Sequence, residues 1–228
     1  MTVLLSAAIT QVRDLLNEAS AQFWSDAQIT EWINEGCADS QRRAEWKEAK
    51  ATIPVVANTQ NYAAPNDTIR IHRVTFNPTA ASQTYTLEFR GMMEMDQVWG
   101  IQQQWPANYP LYYTLWGQPG TATLSIITYP VPSQSGNLNV YYFPDIINQV
   151  VTTNPIDAPQ GFEDMIYDYA MYRALRRDAD PRWQEAKKDY EEKLVALSDS
   201  SRTYQDQAGT FSTGQQALPQ WLTSSEGW

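Results

Sequence analysis

The sequence is poor in the residues on which many enzymes depend. It has one cysteine, Cys37, and one histidine, His72, so an internal disulfide is excluded, and Ser-His-Asp, Cys-His and multi-histidine zinc sites are disfavoured. The glycine-rich patterns of nucleotide-binding loops are also missing, and the 10 glycines are scattered singly. We therefore expect no catalytic residue, no cofactor and no metal site.

Positive charge is the second deficit. Lys and Arg total 16 against 26 Asp and Glu, a formal net charge of -10, which disfavours a generally basic nucleic-acid-binding surface. No apolar run approaches the roughly 20 residues of a membrane-spanning helix, and no signal-peptide pattern develops before Arg13 and Asp14. The composition indicates a chain that is made and folded in a reducing cytoplasm and has no membrane partner.

The 228 residues, 43% of them hydrophobic, are enough for one sizeable core, or a core and a satellite. Apolar residues at helical spacing predict a first helix over about residues 6–20. Ser25 stands three residues before Gln28, a capping box that starts a second helix, which we expect to reach about Lys50. Cys37 lies on its apolar face and is expected to be a small buried hydrophobe. Its polar face is interpreted as solvated surface, with a partner interface as the alternative; it carries Glu31, Glu35, Asp39, Arg42, Arg43, Lys47 and Glu48.

Short runs of β-branched and aromatic residues, broken by Pro, Asn and Gly, fill the middle of the chain. They predict strands, with a short helix over residues 92–98 covering one end of the sheet. Only short turns separate the last three strands, so we expect these to form an antiparallel meander. His72 lies within a strand, where a hydrogen-bonded structural role is favoured over a catalytic base. The predicted strands span residues 52–56, 68–76, 84–90, 112–116, 121–129 and 137–143.

Helical spacing returns at Phe162, and the basic residues of that helix lie in its last turn, as the macrodipole favours. Asp180 followed by Pro181 predicts the start of another helix, so the two helices should form a tight antiparallel hairpin. Three surface ion pairs are predicted along the last helix. They are Lys187 with Glu191, Lys188 with Glu192, and Asp189 with Lys193.

The predicted fold is therefore α+β: N- and C-terminal helices form one helical bundle, with an antiparallel β-rich domain inserted and an extended C-terminal arm. We assign residues 1–50 to the N-terminal helices, 51–150 to the inserted β domain, 151–197 to the helical hairpin that completes the bundle, and 198–228 to the arm. The predicted helical core consists of Leu15, Ile29, Trp32, Ile33, Phe162, Ile166, Tyr169, Trp183 and Tyr190.

The segment 198–228 is rich in Ser, Thr, Gln and Gly and has too few apolar residues for a core of its own. Widely spaced large apolar groups in such a segment favour a docking arm. The alternative is an end whose apolar residues pack on their own domain. The candidate anchors are Tyr204, Phe211, Leu218, Trp221, Leu222 and Trp228.

Two other features admit more than one interpretation. The acid pairs Glu163/Asp164 and Asp178/Asp180 suit a helix start and a helix–helix turn better than hydrolysis. Between Tyr85 and Phe143, 12 of 59 residues are Phe, Trp or Tyr. These rings favour packing around a small sheet, with a protein-docking surface and a sugar-stacking platform as alternatives.

The order of motifs resembles the head-to-tail adaptor proteins of tailed bacteriophages, also called head-completion, neck or connector proteins. The likeness covers roughly residues 5–197, and its specificity lies in order and spacing. The matching pieces are Trp24 to Glu35, Tyr62 to Val74, Leu87 to Asp96, Leu124 to Pro132, Tyr141 to Pro144, Ile156 to Met165, Tyr169 to Ala174, and Asp178 to Pro181.

This resemblance implies a structural virion protein that forms a homo-oligomeric ring, commonly of twelve subunits, beneath the portal protein. Such a ring completes the filled head in the virion neck, after assembly in the host cytoplasm. It continues the DNA channel and provides the attachment site for a tail or nozzle protein. An acidic chain suits a channel through which genomic DNA passes without specific binding, because like charge prevents sticking.

Two other functions compete with the adaptor hypothesis. The aromatic cluster could belong to a carbohydrate-binding or host-attachment module of a virion. The acid pairs could belong to a hydrolase.

Overall fold

The computed structural model describes residues 3–18, 23–80, 83–99, 109–120 and 123–210, with backbone alone at 96–99 and 203–210. The chain has the mixed α+β composition that its sequence predicts. In chain order the elements are α1 (Leu5–Leu15), α2 (Asp26–Ala44), β1 (Ala49–Val55), β2 (Asn61–Ala63), β3 (Thr68–Pro78), β4 (Tyr85–Phe89), α3 (Met92–Trp99), β5 (Tyr112–Trp116), β6 (Ser125–Tyr129), β7 (Gly136–Pro144), α4 (Glu163–Arg177) and α5 (Trp183–Thr210).

Helix α2 begins where the sequence predicts and ends earlier. The Ser25 side chain accepts a hydrogen bond from the Gln28 backbone, and the Gln28 side chain accepts one from the Ser25 backbone, so the capping box is confirmed. The prediction that the helix reaches Lys50 is wrong. Glu45 adopts a left-handed conformation (φ 48°) that stops the helix, and Lys50 lies in β1.

Helices from both ends of the chain share one hydrophobic core. Ile29, Trp32, Ile33, Ile166 and Tyr190 are buried in it, and Phe162 and Tyr169 pack against it half-buried. Trp183 instead joins a small satellite cluster beside the hairpin turn.

Leu15 does not belong to this core and corrects the prediction. Leu15 is 44% exposed. The reason is that α1 ends at this position and the chain turns away through Asn17, whose φ is 55°. Its neighbour Leu16 packs against the helical core instead.

A second core lies inside a seven-stranded sheet of order β1-β7-β3-β4-β5-β6-β2. All seven strands border this core, which includes Val55 of β1 and Tyr62 of β2 at its two edges. Only residues 56–60 separate these edge strands, so the sheet curls until its edges approach each other and is nearly closed.

The predicted meander of the last three strands is wrong. β5 pairs with β6, but β7 lies between β1 and β3 and makes no pair with β6. The connection contains Pro130 and Pro132, which lack the N–H groups that a tight hairpin uses. Gly136 then allows β7 to approach β3: a Cβ there would stand 2.4 Å from the Asn77 carbonyl oxygen.

The prediction of a wholly antiparallel sheet is also wrong. β4 and β5 run parallel, because α3 and the long connection around it return the chain to the same end of the sheet. The short β2 was not predicted.

Polar side chains join the helical core to the sheet. Gln41 of α2 is fully buried; its Nε2 donates to the carbonyl oxygens of Lys47 (2.9 Å) and Pro144 (3.0 Å), and its Oε1 accepts from the Lys47 N–H at 3.0 Å. Asn34 makes two hydrogen bonds of 2.9 Å with the Gln149 backbone. These bonds fix the ends of β1 and β7 against α2.

Helix α5 is longer than predicted. It runs to Thr210, so residues 198–210 are helical and do not form an extended arm. Asp180 precedes it and accepts a 2.9 Å hydrogen bond from the Arg182 N–H. Of the three predicted surface pairs, Lys188 with Glu192 is present at 3.5 Å. Two others are replaced by contacts between helices, in which Glu191 pairs with Arg43 and Lys193 with Asp164 and Asp168.

Candidate interaction surfaces

The acidic residues that were considered for hydrolysis form hydrogen bonds and ion pairs within the fold. Glu163 accepts a hydrogen bond from the Gly161 N–H at 2.9 Å, Asp164 pairs with Lys193 at 2.6 Å, and Asp180 binds the Arg182 side chain. Over the ranges that the structure describes, no group of three or more His, Cys, Asp or Glu is placed to hold a metal ion. Glu163 and Asp180 therefore accept backbone N–H groups beside helix starts, as their positions predict, whereas Asp164 pairs with a lysine of another helix.

The single cysteine and the single histidine lie in different environments. Cys37 is buried in the helical core, as predicted, and burial raises the pKa of its thiol to about 12, with a smaller contribution from Asp157. His72 is exposed and meets the Phe143 ring edge-on at 6.1 Å. The predicted hydrogen-bonded role for His72 is wrong, because a register shift in β3 between Ile71 and Arg73 turns its ring to solvent.

The predicted docking arm falls largely outside the described residues. Tyr204 lies in α5, where only the backbone is described. The other predicted anchors lie beyond Thr210 and outside the description; they are Phe211, Leu218, Trp221, Leu222 and Trp228. Trp105 of the aromatic cluster also lies outside it.

A groove of about 660 Å³ runs along the polar face of α2. Its floor is formed by small and charged residues at helical spacing, among them Thr30, Glu31, Ala38 and Asp39. Residues 145–150 form one wall, and Tyr169 and Arg173 of α4 contribute to the other. The groove therefore occupies the helix face for which the sequence left a partner interface open.

Ion pairs and a short hydrogen bond hold the floor of this groove rigid. Asp39 accepts from the Tyr190 hydroxyl at 2.5 Å and pairs with Arg43 at 3.4 Å, and Arg43 binds Glu191. Burial, then the bond to Asp39, raises the pKa of Tyr190, and the bond from Arg43 lowers the pKa of Glu191. These contacts tie α2 to α5 below the groove.

Aliphatic side chains are exposed beside one wall of the groove. Ile147 is 68% exposed and Val150 81% exposed, with Val151 beside them. The N–H groups of Leu5 and Ser6 bond to the carbonyl oxygens of Asn154 and Thr152 at 2.9 and 3.0 Å, so the N-terminus of α1 holds this segment in place. Exposed aliphatic side chains beside a groove are typical of a protein contact.

Arginines and aromatic rings gather where α4 ends. Arg173, Arg176 and Arg177 share one face of the helix. The Arg176 guanidinium lies 5.9 Å from the Trp183 ring and that of Arg177 lies 5.6 Å from the Trp24 ring. Arg173 pairs with Glu35 at 3.0 Å. Trp and Arg are the residues that dominate protein interfaces.

The described rings of the aromatic cluster mostly pack against one another. Tyr85 stacks on Tyr109 at 4.4 Å, and Tyr113 is buried with the Phe89 ring edge-on at 5.5 Å. The packing interpretation therefore holds for these rings. Phe89 and Trp116 remain more than half exposed, as do the aliphatic side chains of Met93 and Leu111 near them. This end of the sheet is a second apolar surface.

The groove, the arginine cluster and the apolar end of the sheet give this protein several surfaces suited to contact with other macromolecules. Residues 3–217 match the family model described as SU10 adaptor protein. The chain belongs to this family of bacteriophage head-to-tail adaptors, which makes it a structural protein of the virion neck. A search of curated proteins gave no match.

Within the described ranges, no helix combines the length and apolar character needed to cross a membrane.

Proposed function

We propose that copies of this chain form a ring beneath the portal, commonly of twelve subunits in such adaptors, which completes the DNA-filled head and offers the attachment site for a tail or nozzle protein. The match to the adaptor family over residues 3–217 carries this proposal. The several docking faces support it, because a subunit of such a ring has two neighbours, a partner above and a partner below.

The contact with the portal is assigned to the end of the chain. Helix α5 is about 42 Å long by its 28 residues, whereas α2 has 19 and α4 has 15. Among the α5 side chains that the structure describes, which end at Arg202, the last one buried in the helical core is Leu197. The helix continues through residues 198–210. We infer that they lead the anchors of the segment 211–228, Trp221 among them, to a surface of the portal.

The genomic DNA is proposed to pass through the ring without specific binding. The chain carries -10, and a ring multiplies that charge around the channel. A bore rich in Lys and Arg would gain affinity from counterion release at every phosphate contact. An acidic ring gains no such affinity and therefore does not slow the passing DNA.

Binding to the purified portal tests the assignment of the arm. Trp221→Ala should weaken attachment by about 2 kcal/mol or more if its ring is a central anchor. Trp116→Ala removes an exposed ring of the sheet and serves as the matched control, with attachment unchanged. Equal affinity of the Trp221→Ala variant and the unaltered chain for the portal would refute the assignment.

A further inference from the structure

The outer face of the sheet carries an ordered polar surface across β1, β7 and β3. The strand registers place Lys50, Tyr141 and Arg73 side by side in one rung, and Thr52, Asn139 and Thr75 in the next. Their neighbours along each strand, such as Val74 and Val140, point into the sheet core. We call these six residues the polar face.

The polar face has an unusual charge for this chain. It contains two cations and no carboxylate, although Asp and Glu outnumber Lys and Arg 26 to 16 overall. The Lys50 Nζ lies 5.4 Å and the Arg73 Cζ 4.3 Å from the centre of the Tyr141 ring. Neither cation has an ion pair with a residue that the structure describes. Most other described arginines do, which sets this surface apart.

The β3 column of this surface is incomplete in the isolated chain. Arg73 Nε, Thr75 Oγ1 and, one rung further, Asn77 Oδ1 are buried without a hydrogen-bond partner among the described residues. Thr75 itself is only 4% exposed. Buried polar atoms of native proteins are nearly always hydrogen-bonded, so three in a row on one strand leave hydrogen-bonding capacity that a second molecule can satisfy once these side chains turn outward.

We propose that the polar face receives a carboxylate-bearing surface of a second copy of this chain. The inference rests on the proposed ring, in which one face of each subunit meets a different face of the next. Copies that each carry -10 repel one another, and complementary charges placed at their contact offset that repulsion. Double-stranded DNA fits less well, because proteins that hold it firmly make about 6 to 10 phosphate contacts and the polar face has two cations.

The complementary surface is assigned to the first turns of α5. Glu185 and Asp189 are exposed there one turn apart, and neither forms an ion pair with a described residue. Both carboxylates lie on the helical core, whereas the polar face lies on the sheet. Within one folded copy they therefore cannot pair with Lys50 and Arg73. A neighbour can supply it.

Charge reversal tests this contact. Lys50→Glu and Lys187→Glu each replace an exposed lysine and make the formal charge of -10 more negative by two. Only Lys50 lies on the polar face. Association between copies is measured by sedimentation of the full-length chain alone. Filling of portal rings is measured by native mass spectrometry as the chain is titrated onto them. Lys50→Glu should weaken association between copies about tenfold or more, and the filling of portal rings should lose its cooperativity. Lys187→Glu keeps both carboxylates of α5 and leaves the polar face unaltered, so it should not weaken association. Adding Glu185→Lys and Asp189→Lys to Lys50→Glu should restore association.

The outcomes separate this inference from the proposed function. If the chain fills portal rings cooperatively and Lys50→Glu matches Lys187→Glu, the inference is wrong and the adaptor role stands. If copies associate with the expected charge dependence but do not bind the portal, the proposed function is wrong and the contact stands. Absence of association between copies both in the free chain at moderate salt and on portal rings overturns the inference. Tight duplex DNA binding that Lys50→Glu abolishes also overturns it, because the polar face would then be a nucleic-acid site.

Discussion

Trp32 joins residues from opposite ends of the sequence. It is 5% exposed in the same core as Tyr190, and its ring meets that of Trp24 edge-on at 5.2 Å. Trp32→Ala should lower the free energy of unfolding by about 3 to 5 kcal/mol, because it leaves a large cavity. Denaturant unfolding measures this. Glu31→Ala, one residue away and exposed, should change it by less than about 0.5 kcal/mol; a cost below about 1 kcal/mol for Trp32→Ala would place α2 outside the core.

Gly136 fixes how closely β7 lies against β3. Its added Cβ would approach the Asn77 carbonyl oxygen to 2.4 Å and the Phe76 ring to 2.7 Å. Backbone cannot yield as a flexible side chain does, so Gly136→Ala should destabilise the sheet by about 1 to 3 kcal/mol. Gly91→Ala is the control, since nothing lies within 4 Å of its Cβ position. Equal melting temperatures of the two variants would contradict the described register.

Cys37 gives the fold a measurable pH dependence. Its pKa is raised from 9.0 to about 12 in the folded chain, so its contribution is complete below pH 9 and is lost as pH rises from 9 to 12, since the unfolded chain ionises first. The unfolding free energy of the native chain should therefore fall relative to that of Cys37→Ala by about 1.4 kcal/mol per pH unit in this window. Denaturant unfolding at pH 8, 9, 10 and 11 checks it. Parallel curves for the two proteins would show that the thiol is solvated.

Among the elements, α2 has the most clearly defined start. Its capping box satisfies two backbone N–H groups that the helix itself leaves open. Ser25→Ala should cost about 1 kcal/mol and Ser25→Gly only a few tenths, because glycine adopts the cap conformation and lets water reach the amides. Thermal unfolding of the pair measures the difference. If both substitutions cost the same, the hydroxyl makes no capping bond.

Local signals predicted most elements but not their order in space. The capping box at Ser25, the spacing from Phe162 and the run from Tyr112 to Trp116 each act within a few residues, and the structure agrees at these places. The neighbours of β7 depend instead on contacts with Ala49–Val55 and Thr68–Pro78. Helix α5 likewise continues through Ser- and Thr-rich sequence that propensity alone would end.

The interaction surfaces were even less visible in the sequence. The polar face joins residues 50, 73 and 141, which only the strand register brings together. The groove could be anticipated in part, since its floor is the charged face of α2. One wall is contributed by residues of the segment 145–150, which no helix or strand pattern singled out.

At the scale of the whole molecule, charge and shape act together. Two cores tied by Gln41 and Asn34 make a firm unit, while the charge of -10 keeps free copies apart. Salt screens this repulsion over about 8 to 10 Å near physiological ionic strength. Free copies should therefore be monomers or small oligomers at low salt, and the portal should act as the template on which they gather.

Sedimentation velocity of the chain at low and moderate salt, with and without purified portal rings, tests the adaptor role most directly. We predict slow species for the chain alone at low salt, co-sedimentation of many copies with each portal ring, and weak binding of duplex DNA by both forms. A chain that stays monomeric in the presence of portal rings at both salt concentrations would contradict the account.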